Sequence, residues 1–230
     1  MKFILLQRMS ALVLGVGLTV FMTAGVASAE SAQTAKPVSG TASWFGEWHH
    51  GKSTASGEPF DMYAMTAAHR KLPFGTVLKV TNTRNGKDVV VRVNDRGPYS
   101  KKRILDLSYA AADRLDMRVS GTAPVTLEVV GDTGGRPLKD GQAFFVRLAE
   151  QKSTSATFLE QQMTRLIRVG FQDAATLLHT TDDAVALGPF DTFQAAQETL
   201  IRVATLHPRA SIMMTDTSKA RPVISAVAAA

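Results

Sequence analysis

Three short clusters hold most of the side chains able to act on a substrate: Ala42-Ser43-Trp44-Phe45-Gly46, Thr54–Asp61 together with Thr66-Ala67-Ala68-His69, and Val93-Asn94-Asp95-Arg96-Gly97-Pro98. Asp95 follows a β-branched run and precedes an Arg-Gly-Pro turn, so its carboxyl is expected at the rim of a sheet or barrel. Glu58 supplies a second carboxylate and His69 an imidazole that titrates near neutrality. Two carboxylates and a histidine are the equipment of general acid–base chemistry. Glycoside hydrolysis in particular needs two carboxylates about 5–9.5 Å apart. Each residue also has a plainer reading. Asp before a Gly-Pro turn bonds backbone amides, Glu58 fits a solvated loop, and His69 fits a helix end or core site. His49 and His50 are adjacent, and no HExxH or carboxylate-rich loop occurs, so neither a metal nor another cofactor is expected.

The aromatic residues beside these clusters are Trp44, Phe45, Trp48, Phe60 and Tyr99. Exposed rings pack against sugar C–H faces, and buried rings fill cores, so either use fits. Trp44, Phe45, Ser56, Asn94, Arg96 and Tyr99 are the candidate substrate contacts. Arg96, Lys101, Lys102 and Arg103 crowd one loop, which suits either an anionic ligand or a solvated charge cluster.

The elements that must position these residues are mainly β. A short strand is predicted over 40–45, followed by a Gly-, Ser- and Thr-rich loop to Pro59. Runs 76–82 and 87–94 flank Asn85-Gly86, a signal for a hairpin with a type I′ turn. Val89, Val91 and Val93 share one face of the second run, with Val90 and Arg92 on the other. Ser108 is placed to cap a short helix over 108–115, and 124–130 closes the segment as a strand. A small barrel removes the edges of such short strands. Asp132–Gly141 carries turn formers and no periodic apolar pattern, and the boundary falls there. Beyond it, strand 143–148, a helix capped by Thr157 with Glu160, two strands within 171–187, a helix capped by Asp191 with Gln194, and a strand over 209–214 read as β-α-β-β-α-β. That is a small split-βαβ domain over 142–215. The tail from 216 to 230 carries no pattern and is expected to be disordered.

Composition narrows the classes. The 230 residues are 45% hydrophobic and 20% charged, an ordinary globular balance. There is no cysteine, which excludes disulfides, thiolate metal sites and cysteine nucleophiles. The net charge of +6 suggests an anionic partner. Residues 40–131 hold 13 Lys+Arg against 9 Asp+Glu, whereas 142–215 hold 6 against 7, so the excess sits on the first segment. No nucleic-acid motif accompanies it. Lys2 and Arg8, the uncharged stretch from Met9 to Ala29 and the small residues Ala27-Ser28-Ala29 read as a signal peptide cleaved after Ala29. A polar leader over 30–39 follows, and the chain is expected to be exported with no membrane span after cleavage.

The three clusters, in this order across residues 40–131, resemble the rare lipoprotein A (RlpA) family of septal lytic transglycosylases. The resemblance implies a six-stranded double-psi β-barrel that cleaves the MurNAc–GlcNAc β-1,4 bond of peptidoglycan to leave 1,6-anhydro-MurNAc ends. It implies Asp95 as the catalytic acid, with Glu58 and His69 at matching active-site positions. Asp106 also matches a family position and reads as a structural hydrogen-bonder. The second segment looks like a SPOR domain, chiefly through Gly188-Pro189-Phe190, and this implies binding to denuded glycan, a septal periplasmic location and divisome partners. Two departures stand out. No lipobox cysteine is present, which implies a soluble periplasmic or secreted form. The strand Asp183–Leu187 lacks the aromatic or arginine usual there, and Arg147 replaces a usual glutamine. A non-catalytic, expansin-like wall binder and a divisome scaffold are the competing classes.

Overall fold

The computed structural model describes residues 36–150, 156–168, 170–171, 176–180 and 184–222. The predicted signal peptide, most of the leader and the last eight residues lie outside the described residues. Six strands close into a barrel: β1 (Val38–Phe45), β2 (Thr66–Ala68), β3 (Val77–Asn82), β4 (Asp88–Asp95), β5 (Leu105–Ser108) and β6 (Thr122–Gly131). Their order around the barrel is β1-β5-β2-β4-β3-β6, with β1–β5 and β2–β4 parallel and the other pairs antiparallel. Helix α1 (Tyr109–Arg114) follows β5, and Ser108 Oγ caps it by accepting from Ala111 N, as the sequence predicts. This is the mainly β, six-stranded double-psi barrel that the sequence resemblance implies.

The β3–β4 hairpin exists but its turn is not type I′. Thr81 pairs with Asp88, and Asn82 N donates to Lys87 O, leaving four residues in the connection. Gly86 has φ +74°, and Asn85 is not in the left-handed region. The asparagines account for the difference. Asn82 Oδ1 accepts from Arg84 N, Asn85 Oδ1 accepts from Lys87 N, and both side-chain amides donate to Leu115 O. These bonds satisfy a longer turn that a two-residue connection could not make.

The chain continues through β7 (Gln142–Glu150), α2 (Ala156–Arg168), β8 (Thr176–Thr180), β9 (Ala184–Phe190), α3 (Phe193–Val203), β10 (Ser211–Asp216) and β11 (Ala220–Pro222). The strands form an antiparallel sheet of order β10-β7-β9-β8-β11. The β-α-β-β-α-β order is present. A short 3-10 turn (Thr217–Lys219) and β11 extend it into the segment where the sequence shows no pattern. Helix α2 already includes Thr157, the residue predicted to cap it. Helix α3 is capped by Thr192, whose Oγ1 accepts from Ala195 N, one residue later than the predicted Asp191. Its buried face includes the predicted Phe193, Ala196, Leu200 and Val203.

Barrel and sheet share one hydrophobic core. Val80, Val90 and Leu107 of the barrel lie in the same contiguous cluster as Phe144, Leu148, Phe193 and Ile212. Val90 is fully buried although it points away from Val89 and Val91, because β10 packs beside β4. The connector Asp132–Gly141 is fixed as well. Leu138 N donates to Val130 O, and Phe193 N donates to Gly135 O. Arg136 bonds the Asp132 carboxylate through its backbone amide and its guanidinium, which holds that carboxyl below its usual range. No described helix is long and apolar enough to cross a membrane.

Candidate active site

The candidate residues gather at the carboxyl end of β4, which carries Arg92, Asn94 and Asp95. Its parallel neighbour β2 shifts register between Ala67 and Ala68, so that Ala68 faces Asp95. Such irregularities bend a strand at a rim and re-aim the next side chains. The next residue is His69, whose amide donates to Asp95 O at 3.1 Å. The loop from Thr54 to Glu58 lies across the same strand end, with Ser56 N donating to Asn94 O at 3.2 Å. Buried Thr54 organises this loop. Its hydroxyl donates to Glu58 O at 2.8 Å, so Ser56 Oγ must donate to Thr54 Oγ1 across their 3.0 Å contact.

Asp95 is half-buried, and its Oδ1 accepts from two backbone amides, Ala55 N at 2.9 Å and Arg96 N at 2.8 Å. Among the described residues Oδ2 accepts no hydrogen bond. One oxygen is therefore anchored by the backbone and the other is not, among the described residues. The Asx-type reading of Asp95 and the catalytic reading are thus compatible, because they use different oxygens.

Glu58 Oε1 accepts from Arg92 Nη2 at 2.7 Å and from Asn94 Nδ2. Arg92 and Asn94 are two residues apart on β4 and so share a face, which sets both donors on one carboxylate. Asn94 is 2% exposed, so it orients Glu58 from below rather than meeting a ligand directly. Arg92 carries little in the sequence to mark it as a site residue. Its only signal is a guanidinium inside an otherwise apolar run.

His69 Nδ1 accepts from two backbone amides, Lys71 N at 3.2 Å and Leu72 N at 2.9 Å. That bonding assigns the proton of the neutral ring to Nε2. Burial, then the charges of Arg70 and Arg96, hold the imidazole pKa below 6.5. His69 is therefore a neutral hydrogen-bond donor near pH 7.

Arg96 is largely committed to the scaffold. Its Nη1 donates to Leu72 O at 3.0 Å and His69 O at 3.3 Å, and its guanidinium lies 3.6 Å over the Phe74 ring. It also lines a cleft of about 490 Å³ with Arg70, Gly97, Pro98, Tyr99 and Lys101. Tyr99 is 94% exposed there. Gly97, at φ +150°, lines this cleft. Asp106 lies close to Gly97: its Oδ2 is 3.7 Å from the point where a Cβ on that glycine would sit. The Ser43 hydroxyl donates to Asp106, and Arg103 ion-pairs with it at 3.2 Å.

The remaining aromatics divide. Phe60 is buried against Phe45 with ring centroids 4.5 Å apart, which places it in the packing. Trp44 is half-buried and meets Tyr109 edge-on at 5.7 Å. Trp48 and Tyr63 are exposed. Among the described residues no group of three or more His, Asp or Glu side chains could hold a metal ion.

Residues 38–127 match the protein family described as lytic transglycolase. The chain is 58% identical over 92 residues to the endolytic peptidoglycan transglycosylase RlpA of Campylobacter jejuni, covering 40% of this chain and 34% of that protein. It is 55% identical over 101 residues to the same-named protein of Vibrio cholerae, covering 44% and 38%. The counterpart in Neisseria meningitidis serogroup A is 47% identical over 109 residues, covering 47% and 46%. The chain thus spans less than half the length of each of these relatives.

Proposed function

We propose that the barrel of this chain, whose residues 38–127 match the lytic transglycolase family, cleaves peptidoglycan glycan strands without water. The named relatives are endolytic peptidoglycan transglycosylases, and the proposed substrate is the MurNAc–GlcNAc β-1,4 bond. In the reaction, the muramic acid C6 hydroxyl attacks its own anomeric carbon. The O6–C1 bond forms, the bond from C1 to the leaving O4 breaks, and a 1,6-anhydro end results. Because the nucleophile is carried by the same sugar, much of the entropic barrier is removed. What the protein must supply is a proton for O4 and a base for the C6 hydroxyl.

The observation that carries this reading is the asymmetric hold on Asp95, with Oδ1 fixed by two amides and Oδ2 left to act. Asp95 protonates O4 and then takes the C6 hydroxyl proton, so one carboxyl serves both steps and ends as it began. His69 donates from Nε2 to a sugar oxygen. Glu58, clamped by Arg92 and Asn94, accepts from a sugar hydroxyl. Tyr99 and Trp44 supply ring faces, and Ser56 and Phe45 complete the groove.

Residues 142–215 are proposed to hold the enzyme on peptide-poor glycan, and the chain is proposed to work in the periplasm after loss of residues 1–29, at the septum in company with divisome proteins. The central test is mass spectrometry of purified glycan strands after incubation with the protein. Anhydro-muramyl ends are expected with the wild type and not with a folded Asp95→Asn variant. Unchanged strands with the wild type, or anhydro ends from the variant, refute the assignment.

A further inference from the structure

A second concave site lies at the seam between barrel and sheet, and nothing in the proposed reaction uses it. The cavity, about 310 Å³, is lined by Lys87, Asp88 and Arg114 from the barrel and by Arg147, Leu148, Arg209 and Ser211 from the sheet segment. Four cations and one carboxylate therefore face a single small volume.

Three of the described carboxylates around this volume are each divided between two cations. Asp88 is shared by Lys79 and Arg147, Asp113 by Arg114 and Arg118, and Asp116 by Lys87 and Arg209. Two of the lining cations are well shielded: the side chains of Arg114 and Arg147 are each 12% exposed. Shielding by protein raises the energy of like charges held close together well above its value in water. Burial chiefly, with the Arg209 charge as a smaller contributor, pulls the Arg114 pKa below its usual value.

Arg114 also shows why this site belongs to both halves. Its Nε donates to Ala210 O at 2.7 Å and its Nη2 to Pro208 O, fixing the turn that carries Arg209. Ser211 adds a small polar side chain to the wall, and a serine hydroxyl can donate to an anion.

We propose that this seam cavity binds an oxyanion, a phosphate or carboxylate group, that ties the barrel to the sheet. The fork geometry of guanidinium groups suits both chemistries, and the lining offers four cationic side chains against one carboxylate. A bound anion stabilises the folded chain by mass action and strengthens the contact between the two halves.

Isothermal titration of the full chain, at constant ionic strength in chloride, tests the proposal with inorganic phosphate in one arm and acetate in the other. Saturable binding of one equivalent in either arm is expected, and the arm that binds identifies the source of the group. The Lys87→Gln/Arg209→Gln variant should lose that binding. Asp88→Asn, which removes the one lining carboxylate, should tighten it by roughly tenfold. Absence of saturable binding in both arms overturns the proposal, as does binding that the double variant leaves unchanged. Should the double variant fail to fold, Asp88→Asn decides alone, and unchanged or weaker binding by it overturns the proposal. None of these readouts involves glycan cleavage, so the outcome is independent of the proposed reaction.

Discussion

Asn94 and His69 show how the site is set residue by residue. Asn94 is buried and gives its amide to Glu58, an arrangement that a sequence reading of asparagine as a surface or turn residue does not suggest. Asn94→Ala should leave Glu58 held by Arg92 alone and lower turnover by about tenfold to a hundredfold through misplacement, with KM little changed. Steady-state kinetics on glycan strands reads both quantities. His69 makes a pH prediction. Its folded pKa lies below 6.5, so the neutral ring persists as pH falls until that lower value is passed. Protonation then requires Nδ1 to release two amides, and activity should fall on the acid side. The unfolded chain takes up its proton first, so stability should decline as pH drops from 6.5 toward the folded value and then level off. His207, also lowered by burial and by Arg165, contributes with the same sign. A histidine chemical-shift titration in which His69 has its midpoint at or above 6.5 would contradict this account. Asp95, Glu58 and His69 stand out in the sequence mainly through the family resemblance. What each one touches was not, because backbone amides leave no mark on side-chain spacing.

At the level of elements, strands and caps whose logic is local were readable. The β-branched runs became β3 and β4, and Ser108 caps α1. The turn between β3 and β4 was not, because Asn82 and Asn85 bond Leu115, some thirty residues away. The burial of Val90 was also hidden, since alternation along β4 gives no warning that β10 covers its outer face. That covering has a measurable worth. Ile212 is fully buried in the shared core, and Ile212→Ala should cost about 2–5 kcal/mol, read from the denaturant midpoint. A tighter constraint sits at Gly75, where φ is +89° and an added Cβ would lie 2.2 Å from Thr133 O. Both the conformation and the clash with backbone oppose a side chain. Gly75→Ala should therefore fold poorly, whereas Gly86→Ala, at φ +74° with open space around it, should lose only about 1 kcal/mol.

On the scale of the whole molecule, the composition break at Asp132–Gly141 marks a change of architecture, yet the apolar cores on either side are continuous. Gly135 and Arg136 lock the connector to α3 and to Asp132, and Arg147 reaches Asp88 across the seam. The sequence shows where charge and periodicity change, but surface complementarity between distant segments has no periodic signature. Calorimetry of the chain should accordingly give one cooperative transition, and a fragment ending at Gly131 should unfold at a lower temperature. Two separated transitions, or a fragment of undiminished stability, would show that barrel and sheet are energetically independent. The barrel's strand order carries one more consequence. β1, the first barrel strand in the chain, is hydrogen-bonded to β5 and β6, so Val38 pairs with Leu127. No local hairpin can hold β1, and the ring cannot shut before the chain has run to Gly131. Folding should therefore be paced by a late, long-range closure, on the millisecond-to-second scale of proteins rich in non-local pairings. A newly made chain would carry Asp95, Glu58 and His69 for some time before it had a barrel rim to hold them together.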